Sequence, residues 1–385
     1  MNPTYAKMGT TIFEKMSAIA RETGAINLGQ GFPEHSGPPE ILEAAARALV
    51  ERSNQYPPMA GLPELRRAVA DHYARYQNLD LTPNEVIVTS GATEALAATL
   101  LALISPGDEV VLIQPLYDAY LPLVERAGGI ARLLTLEPPH WRITAEALER
   151  AITPATRLLL LNSPLNPAGA MAGAEELASI ADACIRHDLI AVCDEVWEHV
   201  IFDDRRHIPL IGLPGMRERT VKIGSAGKIF SVTGWKVGWM CAAPRLATVL
   251  ARAHQFLTFT TPPNLQWAVV EGLGKEDGWF AAMRADYQRS RDRLSAGLSS
   301  AGYKMLPSAA TWFLSADLSA SGIVLDDVTF CERIVQEAGV VAIPVSSFYV
   351  KQPVRSIVRF CFCKSDATLD AAIECLARFR ETLPD

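Results

Sequence analysis

No uninterrupted apolar run in the chain reaches membrane-spanning length, so no transmembrane helix is expected. The opening residues, MNPTYAKMGTTIFEKM, lack the apolar core of a secretory leader. There is no excess of basic residues: 36 Lys and Arg against 43 Asp and Glu leave a formal net charge of −7, which argues against a nucleic-acid partner. The seven cysteines are odd in number and include no CxxC, which speaks against a disulfide framework or a thiolate metal site. Their mostly apolar neighbours predict reduced, buried thiols in a cytoplasmic protein, and no metal is expected. Internal repeats and low-complexity segments are absent as well. Two nucleotide motifs fail. A P-loop ending in Gly227-Lys228 needs a Gly and a Ser or Thr where the chain has Lys222 and Ile229. The glycines of Gly29-Gln30-Gly31 are followed by Pro33 with no helix opening, so they are not a dinucleotide fingerprint.

What is present is enough apolar residue for a large core. With 385 residues, 49% of them hydrophobic, the chain can build one large domain and a smaller one. Helix patterns occupy 11–20 and 39–51, and a turn-rich loop, 54–61, carries Tyr56. From residue 85 onward, short apolar runs at 86–89, 110–113, 132–136, 158–161, 190–193, 221–223 and 237–241 alternate with helical segments such as 93–104 and 174–187. Continuous apolar strands between helices predict an α/β fold with a mostly parallel, seven-stranded sheet covered on both faces.

Ligands on such sheets gather at the carboxyl ends of the strands. The first run ends in Ser90-Gly91-Ala92-Thr93 at a helix start, where free backbone N–H groups and a hydroxyl suit an anion. The second leads to Tyr117, which can offer a ring face, and the fourth to the turn Asn162–Gly169 containing Asn166. The fifth ends in Cys193-Asp194-Glu195-Val196-Trp197, and a carboxylate there needs a partner. The sixth leads through Gly224-Ser225-Ala226-Gly227 to Lys228, with Lys236 eight residues further on. Small residues allow a bulky group to approach the backbone. A desolvated lysine becomes a nucleophile able to form a Schiff base. Singly, each feature has an ordinary explanation as a helix cap, core aromatic, turn or surface lysine. Jointly they supply what pyridoxal phosphate requires: an amine for its aldehyde, an anion for its ring nitrogen and a helix start for its phosphate.

The motifs GQGFP, NQYPPMAG, SGATEA, PLYDAY, NSPLNPAG, CDEVWEHV, SAGKIFSVTGWKVGW and VRFCFCK span nearly the whole chain. In them the sequence resembles the fold-type I, class I/II pyridoxal-phosphate aminotransferases, and it looks closest to the kynurenine, glutamine and methionine aminotransferase branch. The resemblance implies an aspartate aminotransferase-like fold and a homodimer with shared active sites. It implies an N-terminal arm with part of a small domain at 1–40, a large cofactor-binding domain at 41–285 and a small α+β domain at 286–385. Lys228 is then the covalent anchor and proton carrier, and Asp194 pairs with the pyridine nitrogen. Asn166 donates to the phenolic oxygen. Tyr117 stacks on the ring and Val196 backs it. Gly91, Ala92, Thr93, Ser225 and Lys236 hold the phosphate, with Tyr56 reaching that of the partner subunit. Arg359 clamps the substrate carboxylate, helped by Gly31 and Asn166; Arg355 is the rival.

Two positions depart from the family pattern. Trp197 stands where Tyr is usual, and an indole N–H can donate but not accept. Leu165 stands where His is common, which reads as neutral variation. The stretch 254–266, expected to cross the dimer, has no Arg or Lys but has Phe256 and Phe259, and the arm adds Phe13. Either these are dimer core, or they favour an uncharged, aromatic or sulfur-containing amino acid as partner to a 2-oxo acid. Three functions stay open: transamination, a β-lyase acting on cysteine conjugates on the same scaffold, and a non-catalytic regulatory module. An acidic chain that begins almost at the fold's own arm leaves no room for a DNA-binding domain ahead of it, which counts against the third.

Overall fold

The apolar runs become strands because Val, Ile and Leu fill both faces of a pleated sheet that helices then cover. The computed structural model describes residues 2–384. β1 (Ile26–Asn27) lies in the arm. β2 (Val86–Thr89), β3 (Glu109–Gln114), β4 (Ile130–Thr135), β5 (Thr156–Asn162), β6 (Ile190–Asp194), β7 (Thr220–Ser225) and β8 (Gly238–Cys241) form a seven-stranded sheet in the order β2-β8-β7-β6-β5-β3-β4. β8 is antiparallel to both its neighbours, and all other pairings are parallel. Every expected strand is found. Four end later than their apolar runs: Gln114, Asn162, Asp194 and Ser225 are the last residues of β3, β5, β6 and β7 rather than the start of the following loops. Polar side chains at a strand end continue the backbone ladder while pointing into a cleft, and hydrophobicity alone does not show that.

β9 (Lys304–Met305), β10 (Phe313–Asp317), β12 (Ile343–Pro344) and β13 (Ile357–Cys361) form a smaller antiparallel sheet in the order β12-β13-β10-β9. β11 (Val340–Val341) pairs in parallel with β1, so the arm is stitched to the C-terminal part of the chain. Residue 285, where the sequence suggests a domain limit, lies inside one continuous helix, Asp277–Ser300. No helix among the described residues is long and apolar enough to cross a membrane. All seven cysteines are free thiols, six of them buried.

The sheet places its functional ends by register. Asn162 of β5 lies opposite Asp194 of β6, and Asp194 opposite Ile223 of β7. Ser225 of β7 pairs with Gly238 of β8, and Thr89 of β2 pairs with the same glycine. The helix Gly91–Leu103 starts directly beyond β2. Five segments far apart in sequence thereby end along one edge of the sheet, and β13 brings Arg359 to that edge from the small sheet.

Candidate active site

A cavity of ≈ 490 Å³ opens at this edge. Its walls include Phe13, Gly31, Gly91, Ala92, Thr93, Tyr117, Asn166, Asp194, Val196, Trp197, Ser225, Lys228, Lys236 and Arg359, all expected from the sequence. Tyr56 does not line it. That side chain is 84% exposed and meets Phe259 edge to face, ring centroids 5.6 Å apart. Arg355 is exposed at the surface, whereas Arg359 is 1% exposed, so only Arg359 faces the cavity.

Lys228 sits on a single helical turn, Ala226–Ile229, just past β7. Burial and the nearby Lys236 depress its ammonium; Cys363, Asp194 and Cys361 oppose them, and the balance leaves it at about 8. Two indoles frame the amine: its Nζ lies 4.7 Å from the centre of the Trp197 ring and 5.1 Å from that of Trp312. Trp197 itself packs edge-on against Trp312 and Phe313 at 4.9 and 5.6 Å. The departure from Tyr thus replaces a phenol with an aromatic wall beside the lysine.

Asp194 is buried, and burial pushes its carboxyl up. Tyr120 counters this by donating its hydroxyl to Asp194 Oδ2 at 2.6 Å. Asn162 ties two strand ends together. Its Nδ2 donates to the Asp194 carbonyl at 2.9 Å, and its Oδ1 accepts the Asn166 N–H at 2.8 Å. Sequence reading missed Tyr120 and Asn162 as site residues. Tyr120 follows Tyr117 by three positions, the only trace it leaves in the sequence.

At the helix start, Gly91 has φ +75°, and a Cβ there would meet Lys236 Nζ at 3.3 Å. A Cβ on Gly238 would meet the Ala92 nitrogen at 2.9 Å. Both glycines are therefore required for backbone N–H groups and an ammonium to converge on one point, a cradle for a phosphate-sized anion. Gly31 is similarly constrained, because a Cβ would lie 2.5 Å from the Phe313 ring.

Arg359 stacks on Phe313, with Cζ 3.9 Å from the ring centre, and on Phe348 and Phe13 at 5.0 and 5.4 Å. Its Nη1 donates to Asn166 Oδ1 at 3.0 Å and its Nη2 to the Gly29 carbonyl at 2.7 Å. Its Nε is buried with no partner. Burial lowers its pKa to about 10, and among the described residues no carboxylate is bonded to the cation. A buried guanidinium with an unused N–H at a cavity wall is suited to an anionic ligand.

A second charged cluster lies behind Asp194. Lys222 is fully buried and donates to Glu195 and to Glu198, the latter at 2.6 Å. His207 joins Glu195 at 2.8 Å, and Tyr73 donates to Glu198 at 2.9 Å. Glu195, Glu198 and His207 are close enough to share a cation, and the Lys222 ammonium sits between the two carboxylates. Sequence reading gave Lys222 no role.

The family profile for "Aminotransferase class I and II" matches residues 23–376. The chain is 45% identical to the probable N-succinyldiaminopimelate aminotransferase of Mycobacterium tuberculosis, over 97% of this chain and 96% of that one. It is 38% identical to the methionine aminotransferase of Escherichia coli, over 96% and 95%. The solved structure of the N-succinyldiaminopimelate aminotransferase from Mycobacterium tuberculosis superposes with a TM-score of 0.94, covering 98% of this chain and 99% of that one. Aspartate aminotransferase from Thermus thermophilus with maleate, 32% identical, superposes at 0.90 over 98% and 99%. A cavity with a desolvated lysine, a buried carboxylate and an anion cradle on this fold, joined to likeness along nearly the whole chain, makes the protein a class I and II aminotransferase, a pyridoxal-phosphate-dependent enzyme that transfers amino groups.

Proposed function

We propose that the enzyme exchanges the amino group of an L-amino acid bearing an uncharged, aromatic or sulfur-containing side chain with a 2-oxo acid. The observation that carries this reading is the wall of the cavity. Its cations are Lys228, Lys236 and Arg359, and the remainder includes Phe13, Phe32, Tyr117, Trp197 and Phe313. Lys228 and Lys236 suit the cofactor and Arg359 the α-carboxylate, which leaves aromatic surface for the side chain. The relative named for methionine supports the same reading. The relative named for N-succinyldiaminopimelate favours a second: an acylated diamino acid, whose distal carboxylates call for a cation beyond these three. The relatives are named as aminotransferases, which favours transfer over β-elimination.

The residues present fit pyridoxal phosphate. Gly91, Ala92, Thr93, Ser225 and Lys236 hold its phosphate, Asp194 its ring nitrogen, and Tyr117 and Val196 its faces. When bound, the cofactor supplies an aldehyde for covalent attachment and an electron sink for the reacting carbon. The chain's own groups do the rest. A Lys228 amine with a pKa of about 8 both takes and returns a proton near neutral pH. Tyr120 favours the anionic form of Asp194 by donating to it, against the effect of burial, and Asn162 holds Asp194 and Asn166 in one frame. Arg359 binds the carboxylate with the donors it does not spend on Asn166 and Gly29. Tyr56, Phe256 and Phe259 form an exposed aromatic surface, which supports a homodimer in which Tyr56 reaches the partner's cofactor.

The test is a donor panel of L-methionine, L-phenylalanine, L-kynurenine, L-aspartate and N-succinyl-LL-diaminopimelate against several 2-oxo acids, with Lys228→Ala as the blank. The highest kcat/KM is expected for one of the uncharged donors. A preference for the succinylated donor or for aspartate overturns the substrate reading, and wild-type turnover by Lys228→Ala overturns the site.

A further inference from the structure

β13 ends in Cys361, and Cys363 follows just beyond it. Alternation along an extended chain puts residues two apart on the same side. The two sulfurs here are 3.2 Å apart, closer than the separation of unbonded sulfurs and consistent with one thiol donating to the other. Among the described residues this is the only hydrogen bond between two cysteines. Cα atoms two residues apart span at most about 7 Å, near the upper limit that a disulfide bridges.

The pair sits between two cavities. Cys361 is fully buried near Arg359 and Lys228. Cys363 is 4% exposed and lines a separate cavity of ≈ 510 Å³, walled also by Ser231, Trp279, Met283, Tyr287 and Lys364. A small solute therefore has a route to Cys363 that does not pass through the substrate cavity. Burial opposes ionisation of Cys361, but the Cys363 thiol, Lys364 and Arg359 outweigh it and bring Cys361 down to about 7. Burial and the neighbouring Cys361 sulfur push Cys363 up, and burial pushes the thiols of Cys184, Cys193, Cys241 and Cys331 up as well.

We propose that Cys361 and Cys363 are a peroxide-reactive dithiol, a modification site that closes to a disulfide and disturbs the carboxylate-binding arginine two residues away. Cys361 is the more acidic of the two and takes the Cys363 proton along the sulfur contact, which frees the sulfur facing the outer cavity to attack. Cys363 sulfur attacks the distal oxygen of a hydroperoxide. The O–O bond breaks, an S–O bond forms, and the alcohol or water leaves. Cys361 sulfur then displaces the hydroxyl as water. In total two thiols lose two electrons and two protons to one hydroperoxide. Closing the sulfurs from 3.2 Å to a covalent S–S bond of about 2 Å pulls on the end of β13. Arg359 lies on that strand, held in register by Ser315 and Ile343. Lys364, next to Cys363, donates to the Phe32 carbonyl at 3.1 Å, and Phe32 lines the substrate cavity. Both links carry the displacement to the carboxylate site.

The experiment treats the purified holoenzyme with hydrogen peroxide, alkylates the remaining thiols and maps tryptic peptides. Peptide 360–364 is expected two hydrogens lighter and unalkylated, while kcat/KM falls about tenfold or more for every donor, mostly through KM. A dithiol reductant restores both. Cys363→Ser and Cys361→Ser are expected to keep their activity under the same treatment. Peptide 360–364 still alkylated at both cysteines, or activity loss in Cys363→Ser equal to wild type, overturns the proposal. The peptide mass is read independently of which amino acid is the substrate, so a wrong donor assignment leaves this test standing.

Discussion

Removing the lysine at the centre of the site is expected to make the cofactor-free protein more stable. In the folded chain the Lys228 ammonium is desolvated, which lowers its pKa from 10.5 to about 8. At about 1.4 kcal/mol per pH unit this difference amounts to about 3 kcal/mol. The residue as a whole is half-buried at the cavity wall, and solvent there reduces this to about 2 kcal/mol. Below pH 8 the lysine is protonated in both folded and unfolded chains, and the folded state bears the full cost. Between 8 and 10.5 the unfolded chain holds the proton that the folded chain has released, so stability rises with pH. Above 10.5 both states are neutral and the cost is gone. Lys228→Met keeps similar bulk without the charge. Urea titration of both cofactor-free proteins, at one protein concentration and several pH values, should show a gain of about 2 kcal/mol at pH 7 that shrinks from pH 8 and vanishes near 10.5. With cofactor added the order should invert, since only the wild type can attach it. Lys236→Met, at an exposed position, should change stability by less than about 0.5 kcal/mol. A variant less stable than wild type at pH 7, or a gain independent of pH, would refute the desolvation argument.

Tyr120→Phe removes the hydroxyl that Asp194 accepts, a bond to a charged group worth about 1.5–3 kcal/mol. It should lower kcat/KM by about 10- to 100-fold and move the acid limb of the pH–rate profile upward, whereas an unmoved limb would remove Tyr120 from that role. Arg359→Lys keeps the charge but loses the planar fork, so all amino and oxo acids should weaken alike, by about 2–5 kcal/mol. Steady-state kinetics showing damage to one substrate only would contradict it. Lys222→Met strands Glu195 and Glu198 together without their cation and should cost about 3–5 kcal/mol in denaturant unfolding at pH 7. Burial raises the Glu195 carboxyl, but Lys222 and His207 outweigh it and hold it at about 2. The stability from that pairing is therefore present above pH 4.5 and lost as the pH falls through about 2. A Lys222→Met loss that stayed constant across that window would assign the cost to packing instead.

The large sheet was readable in the sequence because its strands are short apolar runs punctuated by helices, and their ends carry the chemistry. Lys228 and Asn166 announced themselves through small or turn-forming neighbours placed at strand ends, and Asp194 as a carboxylate directly after a buried strand. Arg359 was named by its motif, but Arg355, four residues away, was an equal cation until β13 buried one and left the other at the surface. Tyr120 carried little local signal beyond its spacing from Tyr117, because it donates to a carboxylate 74 positions later. Lys222 read as one more residue of an apolar strand, and only the packing of β7 against the turn after β6 turned it into a cation between two glutamates.

The sequence by itself determined which residue types stand at the ends of strands, and hence the covalent chemistry available, since a lysine after a run of small residues is a local fact. Tertiary structure decided what those residues are at working pH and what they touch. Burial lowers Lys228, raises Asp194 and leaves Arg359 Nε unpaired. Register sets Asn162 beside Asp194, and the small sheet brings Cys361 and Cys363 to the back of the site. Desolvation and long-range pairing depend on atoms supplied by distant segments, which is why no window of the sequence contains them.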